Sequence, residues 1–299
     1  MLGTVRTISP TAEDGSILPE EDLVIGGDCG AILPRLPEGF FDLVYVDPPF
    51  NTGSRQTLRR TRSVRDANGS SSGFGGHRYS RTMMNALSYD DAFEDFAEFI
   101  GPKLERAREL LTDEGTLYFH IDYREAHYCK VLLDGIFGRH CFLNEIIWAY
   151  DYGARTNRRW PAKHDTILVY VKDPKRYRFN GDEVDREPYM APGLQTAERA
   201  ARGKFPTDVW WHTIVPTAGR ERTGYPTQKP EGIVRRMVAA SSEPGGWCLD
   251  FFAGSGTLGA VAQALGRRFV LVDRNPAAVE VMLQRLGGTE EPPQLSLGA

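Results

Sequence analysis

The sequence predicts an α/β fold in which a parallel sheet is covered by helices. Three observations predict it. Short apolar strands alternate with helical periodicities from Leu23 to Phe137. The same rhythm resumes from Glu231 to Leu286, and this order builds parallel sheets. In Leu249-Asp250-Phe251-Phe252-Ala253-Gly254-Ser255-Gly256-Thr257 an apolar strand runs into a Gly-x-Gly turn that opens a helix.

The elements follow in order. Residues 1–22 read as a polar, frayed lead-in. Leu23–Gly26 is a short buried strand, Ala31–Leu36 makes one or two helical turns, and Phe41–Val46 is a second strand. A long loop, 51–85, with the run Asn68-Gly-Ser-Ser-Ser-Gly-Phe-Gly-Gly76, follows it. Loops of that length in a compact domain are usually functional or disordered, and its position after the strongest motif favours a lid or clamp. From Asp90, apolar residues Phe93, Phe96, Ile100, Leu104, Ala107 and Leu111 recur at helical spacing. Asp90 and Asp91 suit that helix's N-terminus, while Gly101-Pro102 is expected to kink or divide it. Gly115 stops it; a strand over Thr116–Ile121 and a helix over Arg124–Phe137 complete the half 23–143. Residues 144–224, rich in Trp, Tyr, Arg and Pro, break the rhythm and read as an insertion with strand-like pieces at Ile146–Tyr150 and Thr166–Val171. The second half, 225–286, carries a helix Glu231–Ser241, a strand Cys248–Phe252, a helix after Gly256, a strand Phe269–Asp273 and a helix Pro276–Leu286. The tail 287–299, with Gly-Gly and Pro-Pro, is expected to be disordered.

Composition narrows the classes. The 299 residues are 41% hydrophobic and 25% charged, ordinary globular usage. No apolar run approaches the roughly 18 residues of a membrane span, and the N-terminus lacks a secretory core. The four cysteines, Cys29, Cys129, Cys141 and Cys248, are scattered, which argues against a zinc cluster or disulfide framework and for a reducing interior. His120, His164 and His212 lack partners at metal spacing. Net charge is −4, yet Arg55, Arg59, Arg60, Arg62, Arg65, Arg78 and Arg81 face the single acid Asp66. A second basic stretch holds Arg155, Arg158, Arg159 and Lys163. Local basic segments can track phosphates where the whole-chain charge cannot; a solvated charged surface is the plainer alternative.

Two motifs carry chemistry. Asp47-Pro48-Pro49-Phe50 directly follows the strand FDLVYV, where open α/β sheets bind ligands. An exocyclic base amine is a poor nucleophile because its lone pair is delocalised into the ring. A carboxylate at Asp47, with a fixed backbone carbonyl beside it, can accept both amino hydrogens and free the lone pair. The prolines preset that carbonyl, and Phe50 offers an aromatic face to a flipped base. In the second motif, Gly254 and Gly256 allow close backbone approach at a helix N-terminus. Phosphate-type spacing is absent, since Thr257, Leu258 and Gly259 follow Gly256. Asp273 closes the next strand, FVLVD, at the spacing of a ribose-binding acid. A nucleoside with a non-phosphate tail, such as S-adenosylmethionine, fits this pair best.

Together and in this order, the motifs resemble the permuted beta group of DNA amino-methyltransferases. In that group a DPPY-like motif comes first, a target-recognition region follows, and an FxGxG cofactor motif comes last. Here Asp47-Pro-Pro-Phe-Asn-Thr-Gly53 precedes Phe252-Ala-Gly-Ser-Gly256, and Tyr225-Pro-Thr-Gln-Lys-Pro230 is similar to the group's lead-in to the cofactor strand. The resemblance covers Leu23 to Leu286. It implies a mostly parallel seven-stranded sheet with helices on both faces and one antiparallel strand. It implies that Asp47, Pro48, Pro49 and Phe50 hold the target base. Phe252, Gly254 and Gly256 would line the methionine end of S-adenosylmethionine and Asp273 its ribose, with Asp250 and Ser255 also binding the cofactor. Thr227 and Lys229 would lie near the cofactor, and Asp28 near its adenine, unless Asp28 caps the following helix. No metal is required. Phe50 stands where tyrosine is commoner, and stacking does not need the hydroxyl. Members with Asp first usually act on adenine N6, which makes adenine the expected target and cytosine N4 the alternative.

The resemblance also implies double-stranded DNA as partner and a cytoplasmic, nucleoid-associated location; it leaves open a homodimer and a cognate restriction endonuclease. In the insertion, Trp148, Tyr150, Tyr152, Arg155, Arg158, Arg159 and Trp160 interleave aromatic and basic side chains suited to DNA. Arg55, Arg59 and Arg60 are candidates in the loop. Trp210 and Trp211 read better as a small core. A catalytically silent nucleic-acid-binding module is the alternative outside enzymes, and intact Asp47, Gly254, Gly256 and Asp273 argue against it.

Overall fold

Runs of β-branched and apolar residues too short for helices become strands. In this computed structural model the described residues are 5–8, 15–50, 95–153, 155–216 and 219–287, with the backbone of 56–65, 71–72 and 78–89. The strands are β1 (Val5–Ile8), β2 (Asp22–Gly26), β3 (Phe41–Val46), β4 (Gln56–Arg65), β5 (Ser71–Ser72) and β6 (Arg78–Tyr89). They continue with β7 (Leu111–Ile121), β8 (Phe142–Ala149), β9 (His164–Val171), β10 (Val209–Trp211), β11 (Trp247–Asp250) and β12 (Arg268–Asp273). The helices are α1 (Cys29–Ile32), α2 (Phe96–Leu110), α3 (Ala126–Phe137), α4 (Ala197–Arg202), α5 (Glu231–Ser241), α6 (Thr257–Ala264) and α7 (Pro276–Leu286).

One sheet has the order β1-β2-β12-β11-β3-β7-β9-β8-β10. Only β9 runs against the others, pairing antiparallel with both β7 and β8. The inner seven strands meet the expectation of a mostly parallel sheet with one antiparallel member. The sheet is nonetheless nine-stranded, because β1 and β10 add parallel edge strands. The polar lead-in therefore contains an edge strand, with Val5 buried.

Alternation along each strand sends side chains to opposite faces. Leu43, Tyr45, Tyr118, Cys248, Phe269 and Leu271 share one core with Ile233 and Met237 of α5, Leu258 of α6 and Met282 of α7. The residues between them, such as Val44, Val46, Leu117 and Phe119, are fully buried against the other face, where α2 and α3 lie. All four cysteines are buried and free; burial pushes the thiols of Cys29, Cys129 and Cys248 up to about 12.

Several expectations need correction. The segment read as loop 51–85 is largely strand: residues 51–94 form a compact unit of their own with strand order β4-β6-β5. Thr57 to Arg65 pairs antiparallel with Tyr79 to Ser88, so the arginine-rich run lies in paired strands. Within the region 144–224, read as an insertion, β8 and β9 belong to the main sheet. What departs from regular structure among the described residues is narrower, falling within 150–163 and 172–224. Helix α2 begins at Phe96 with Asp95 as its cap, the Glu98 N–H donating to Oδ1 at 3.0 Å; Asp90 and Asp91 lie outside the described residues. Pro102 does not divide α2, which runs unbroken to Leu110. Residues 288–299 of the tail lie outside the described residues.

Candidate active site

The C-terminal ends of the parallel strands gather the polar residues. Asp47 follows β3, Asp250 ends β11, Asp273 ends β12 and Asp28 follows β2. Strands β2, β12, β11 and β3 are successive neighbours, so these four acids come from one edge of the sheet. Antiparallel β9 brings its start, His164 and Asp165, to the same edge, beside His120 near the end of β7.

Asp47 is held by Lys229, whose Nζ donates to Oδ1 and Oδ2 at 2.7 Å each. Both side chains are largely buried. The ammonium also lies 4.5 Å from the centroid of Phe50, a cation–π contact. Pro48 is buried and Pro49 half-buried. The lysine is fixed through its backbone: Thr257 Oγ1 donates to the Lys229 carbonyl at 3.1 Å. The preceding segment is pinned by Gln228, which accepts from Thr223 N at 2.9 Å and donates to the Glu221 carbonyl at 2.7 Å. Lys229, expected to lie near the cofactor, pairs with Asp47, 182 residues away in sequence. Thr227 is exposed and has φ of 58°, the one positive φ outside glycine among the described residues.

A second layer lies behind Asp47. His120 is fully buried; its Nδ1 is 2.9 Å from the Tyr45 hydroxyl and 4.0 Å from Asp47 Oδ1. Its Nε2 is 3.2 Å from Asp165 Oδ2, and the Tyr150 hydroxyl donates to Asp165 Oδ1 at 2.9 Å. Burial would raise the Asp165 carboxyl, but the hydrogen bond with His120, the charge of Lys229 and the Tyr150 hydrogen bond act the other way, and it lies below the usual range. Burial, then the charges of Asp47, Asp250 and Asp165, hold the Tyr45 phenol well above its ordinary value. It stays protonated. The His120 ring packs 5.7 Å from Phe50 and edge-on to Trp148 at 5.6 Å. Sequence reasoning missed this layer: the signal was one histidine in an apolar strand, meaningful only once β7 lies between β3 and β9.

The glycine turn is built as the sequence implied. Gly254 and Gly256 have φ of 50° and 71°. A Cβ on Gly256 would lie 2.8 Å from Met282 Cγ, and one on Gly254 3.2 Å from the Tyr225 ring. Asp273 orders the turn, accepting from Gly254 N and Asn275 N at 2.8 Å each. Asp250 accepts from Phe252 N at 3.0 Å. Burial, with the charges of Asp47 and Asp273 adding to it, pushes the Asp250 carboxyl well above the usual range, and burial raises Asp273 too. Ser255 is buried, its hydroxyl 3.2 Å from Thr257 Oγ1. Phe252 is half-buried, its ring 6.1 Å from that of Phe99. Asp28 caps α1 through Gly30 N at 2.9 Å, and Gly27 N donates to the Asp273 carbonyl at 3.1 Å.

The basic candidates separate. Arg155, Arg158 and Arg159 are exposed and have no ion-pair partner among the described residues. Trp160 beside them is 95% exposed. Arg59 and Arg60 lie on β4, in the separate unit, and Arg55 lies outside the described residues. Trp210 is core, but Trp211 is 75% exposed, because alternation along β10 turns it outward. Among the described residues no group of three or more His, Cys, Asp or Glu is placed to hold a metal ion, and no helix is long and apolar enough to cross a membrane.

Comparison with known proteins gives a consistent result. A family model for DNA methylases of the N6/N4 methyltransferase type matches residues 41–284. The chain is 31% identical over 254 residues to the type II methyltransferase M.HpaI of Haemophilus parainfluenzae, covering 85% of this chain and 70% of that one. It is 30% identical over 277 residues to the DNA adenine methyltransferase YhdJ of Escherichia coli (strain K12), covering 89% and 83%. The solved structure of the M1.HpyAVI–SAM complex matches with a TM-score of 0.55 at 17% identity, covering 90% of this chain and 99% of that one.

Proposed function

The chain belongs to the N6/N4 DNA methylase family, and on that premise we propose that it transfers a methyl group from S-adenosylmethionine to adenine N6 in double-stranded DNA. The observation that carries this reading is the Asp47 carboxylate, set at the end of β3 beside the glycine turn that follows the neighbouring strand β11. An amine acceptor and a nucleoside cradle are then one strand apart.

The residues fit the cofactor. A sulfonium and an ammonium both prefer acidic surroundings, and Asp47, Asp250 and Asp273 interact there electrostatically. Gly254, Ser255, Gly256 and Phe252 hold the methionine end in this reading, with Thr227 nearby. Asp273 takes the ribose with the lone pairs its two backbone partners leave, and Asp28 lies toward the adenine. S-adenosylmethionine, when bound, supplies an electrophilic methyl group. The chain does the rest: Asp47 and the backbone carbonyl beside it accept the amino hydrogens of a base that Phe50 stacks upon.

Adenine is the reading because an Asp opens the tetrapeptide and because YhdJ, matched along most of both chains, is named an adenine methyltransferase. The exposed Arg155, Arg158, Arg159 and Trp160 face a DNA backbone in this reading, and 144–224 supplies the target recognition. Arg59 and Arg60 of β4, and Arg55, are further phosphate contacts. A cytoplasmic, nucleoid-associated location follows from the substrate. The test is incubation with S-adenosylmethionine and unmethylated DNA, digestion to nucleosides and mass spectrometry. N6-methyladenine is the expected product; N4-methylcytosine would overturn the choice of base. Asp47→Ala is expected to keep cofactor binding and lose turnover, and loss of both would make Asp47 structural.

A further inference from the structure

We propose that His120, backed by Asp165, is the proton acceptor behind Asp47, so that the proton leaving the methylated amine passes from the Asp47 carboxylate to His120 Nδ1. The inference rests on the methylation reading above and extends it.

Lys229 sets the problem. Once methylated, the amine nitrogen carries one proton too many; the N–H pair returns to nitrogen and the proton goes to a carboxylate oxygen of Asp47. Lys229 Nζ stands 2.7 Å from both of those oxygens. A protonated Asp47 would leave that ammonium without its counter-charge in a largely buried place, which is costly. The proton therefore needs a further acceptor. A further basic nitrogen stands close by: His120 Nδ1 is 4.0 Å from Asp47 Oδ1.

The surroundings prepare it for the task. Asp165 is ionised and can only accept, so Nε2 carries the ring hydrogen and Tyr150 donates its hydroxyl to the same carboxylate. In the neutral ring, Nδ1 then holds a lone pair, to which the Tyr45 hydroxyl donates at 2.9 Å. When Nδ1 gains the proton, that hydroxyl turns about its C–O bond and becomes an acceptor. The imidazolium is stabilised by Asp165 at 3.2 Å. One water, or closure by about 1 Å, spans the gap from Asp47 to hydrogen-bonding distance. The charged and titratable groups facing His120 are Tyr45 and Asp47 from β3 and its turn, Asp165 from β9, Tyr150 after β8, and Lys229 before α5. Asp122 lies two residues on, just past the end of β7.

The test is single-turnover methylation against pH, with the full chain, S-adenosylmethionine and duplex DNA. The wild type is expected to show an acid limb set by the need for a neutral imidazole. His120→Gln is expected to lose that limb and about two orders of magnitude in rate, with cofactor binding unchanged. Asp165→Asn, nearly isosteric, guards against a folding defect: the limb should move to lower pH as the imidazolium loses its counter-charge. If both variants are slow but keep the wild-type pH profile, they are structural and the proposal falls. It falls too if His120→Gln matches the wild type in rate and profile. A wild type that methylates no DNA would defeat the methylation reading itself, a result distinct from either.

Discussion

Replacing Lys229 by methionine keeps the stem of the side chain and removes only the ammonium that holds Asp47. At an effective dielectric of about 20, two unit charges roughly 3.3 Å apart attract by about 5 kcal/mol before desolvation is counted. Removing one partner of a buried pair typically costs about 3–5 kcal/mol, because the other charge is left uncompensated. Asp47 and Lys229 keep side-chain exposures of 16% and 10%, so the lower end, about 3 kcal/mol, applies. For a chain of this size that lowers Tm by roughly 6–12 °C. Asp47→Asn should be less costly alone, and the double variant should recover about 2 kcal/mol of the Lys229→Met loss, since the two residues share one interaction. The assay is denaturation of the four proteins of the cycle under one buffer. A Lys229→Met loss under about 1 kcal/mol, or strictly additive effects, would refute the idea that a buried ion pair holds the carboxylate.

Other outcomes follow from the same geometry. Gly256→Ala places a Cβ 2.8 Å from Met282 at φ of 71°, so it should cost about 1–2 kcal/mol from the left-handed backbone alone; an unchanged Tm counts against the turn as described. Asp250 has a raised folded-state pKa, so the protein should lose stability as pH rises from the ordinary carboxylate range toward neutral. Asp250→Asn should therefore melt above the wild type at neutral pH, with the gap closing toward pH of about 4; parallel melting profiles across that range would contradict this. Changing Arg155, Arg158 and Arg159 to Gln should leave Tm unchanged, since all three are exposed, and flatten the salt dependence of DNA affinity by up to about 2.7 in log–log slope. A wild-type slope by anisotropy titration would remove them from the DNA contact.

The strands β2, β3, β11 and β12 were legible because each is built on a run of apolar residues that suits a buried strand, and an acid ends or closely follows each. Asp47, Asp250, Asp273 and the glycine turn came with them. Helices α5 and α7 matched their expected bounds, Glu231–Ser241 and Pro276–Leu286, because apolar period and caps agree. The paired strands β4 and β6 were not legible: their serines, threonines and arginines look like loop chemistry, and it is cross-strand pairing that makes strands of them. The Lys229–Asp47 pair and the His120–Asp165 contact were hidden for a different reason. They span 182 and 45 residues, and no local pattern records which strand will lie beside which.

The sheet order also constrains how the molecule can be made. Strands β11 and β12 fill the two places between β3 and β2, yet they are synthesised after more than two hundred residues have left the ribosome. Until residues 247–273 emerge, β2 and β3 present unpaired edges to one another across a gap two strands wide. Such edges are prone to mispairing while they wait. The nascent chain therefore cannot acquire a competent centre by stages: Lys229 follows Asp47 by 182 residues, and the glycine turn comes later still. Activity should switch on in one late step, and truncations that remove β12 should leave a chain dependent on chaperones rather than a weak enzyme.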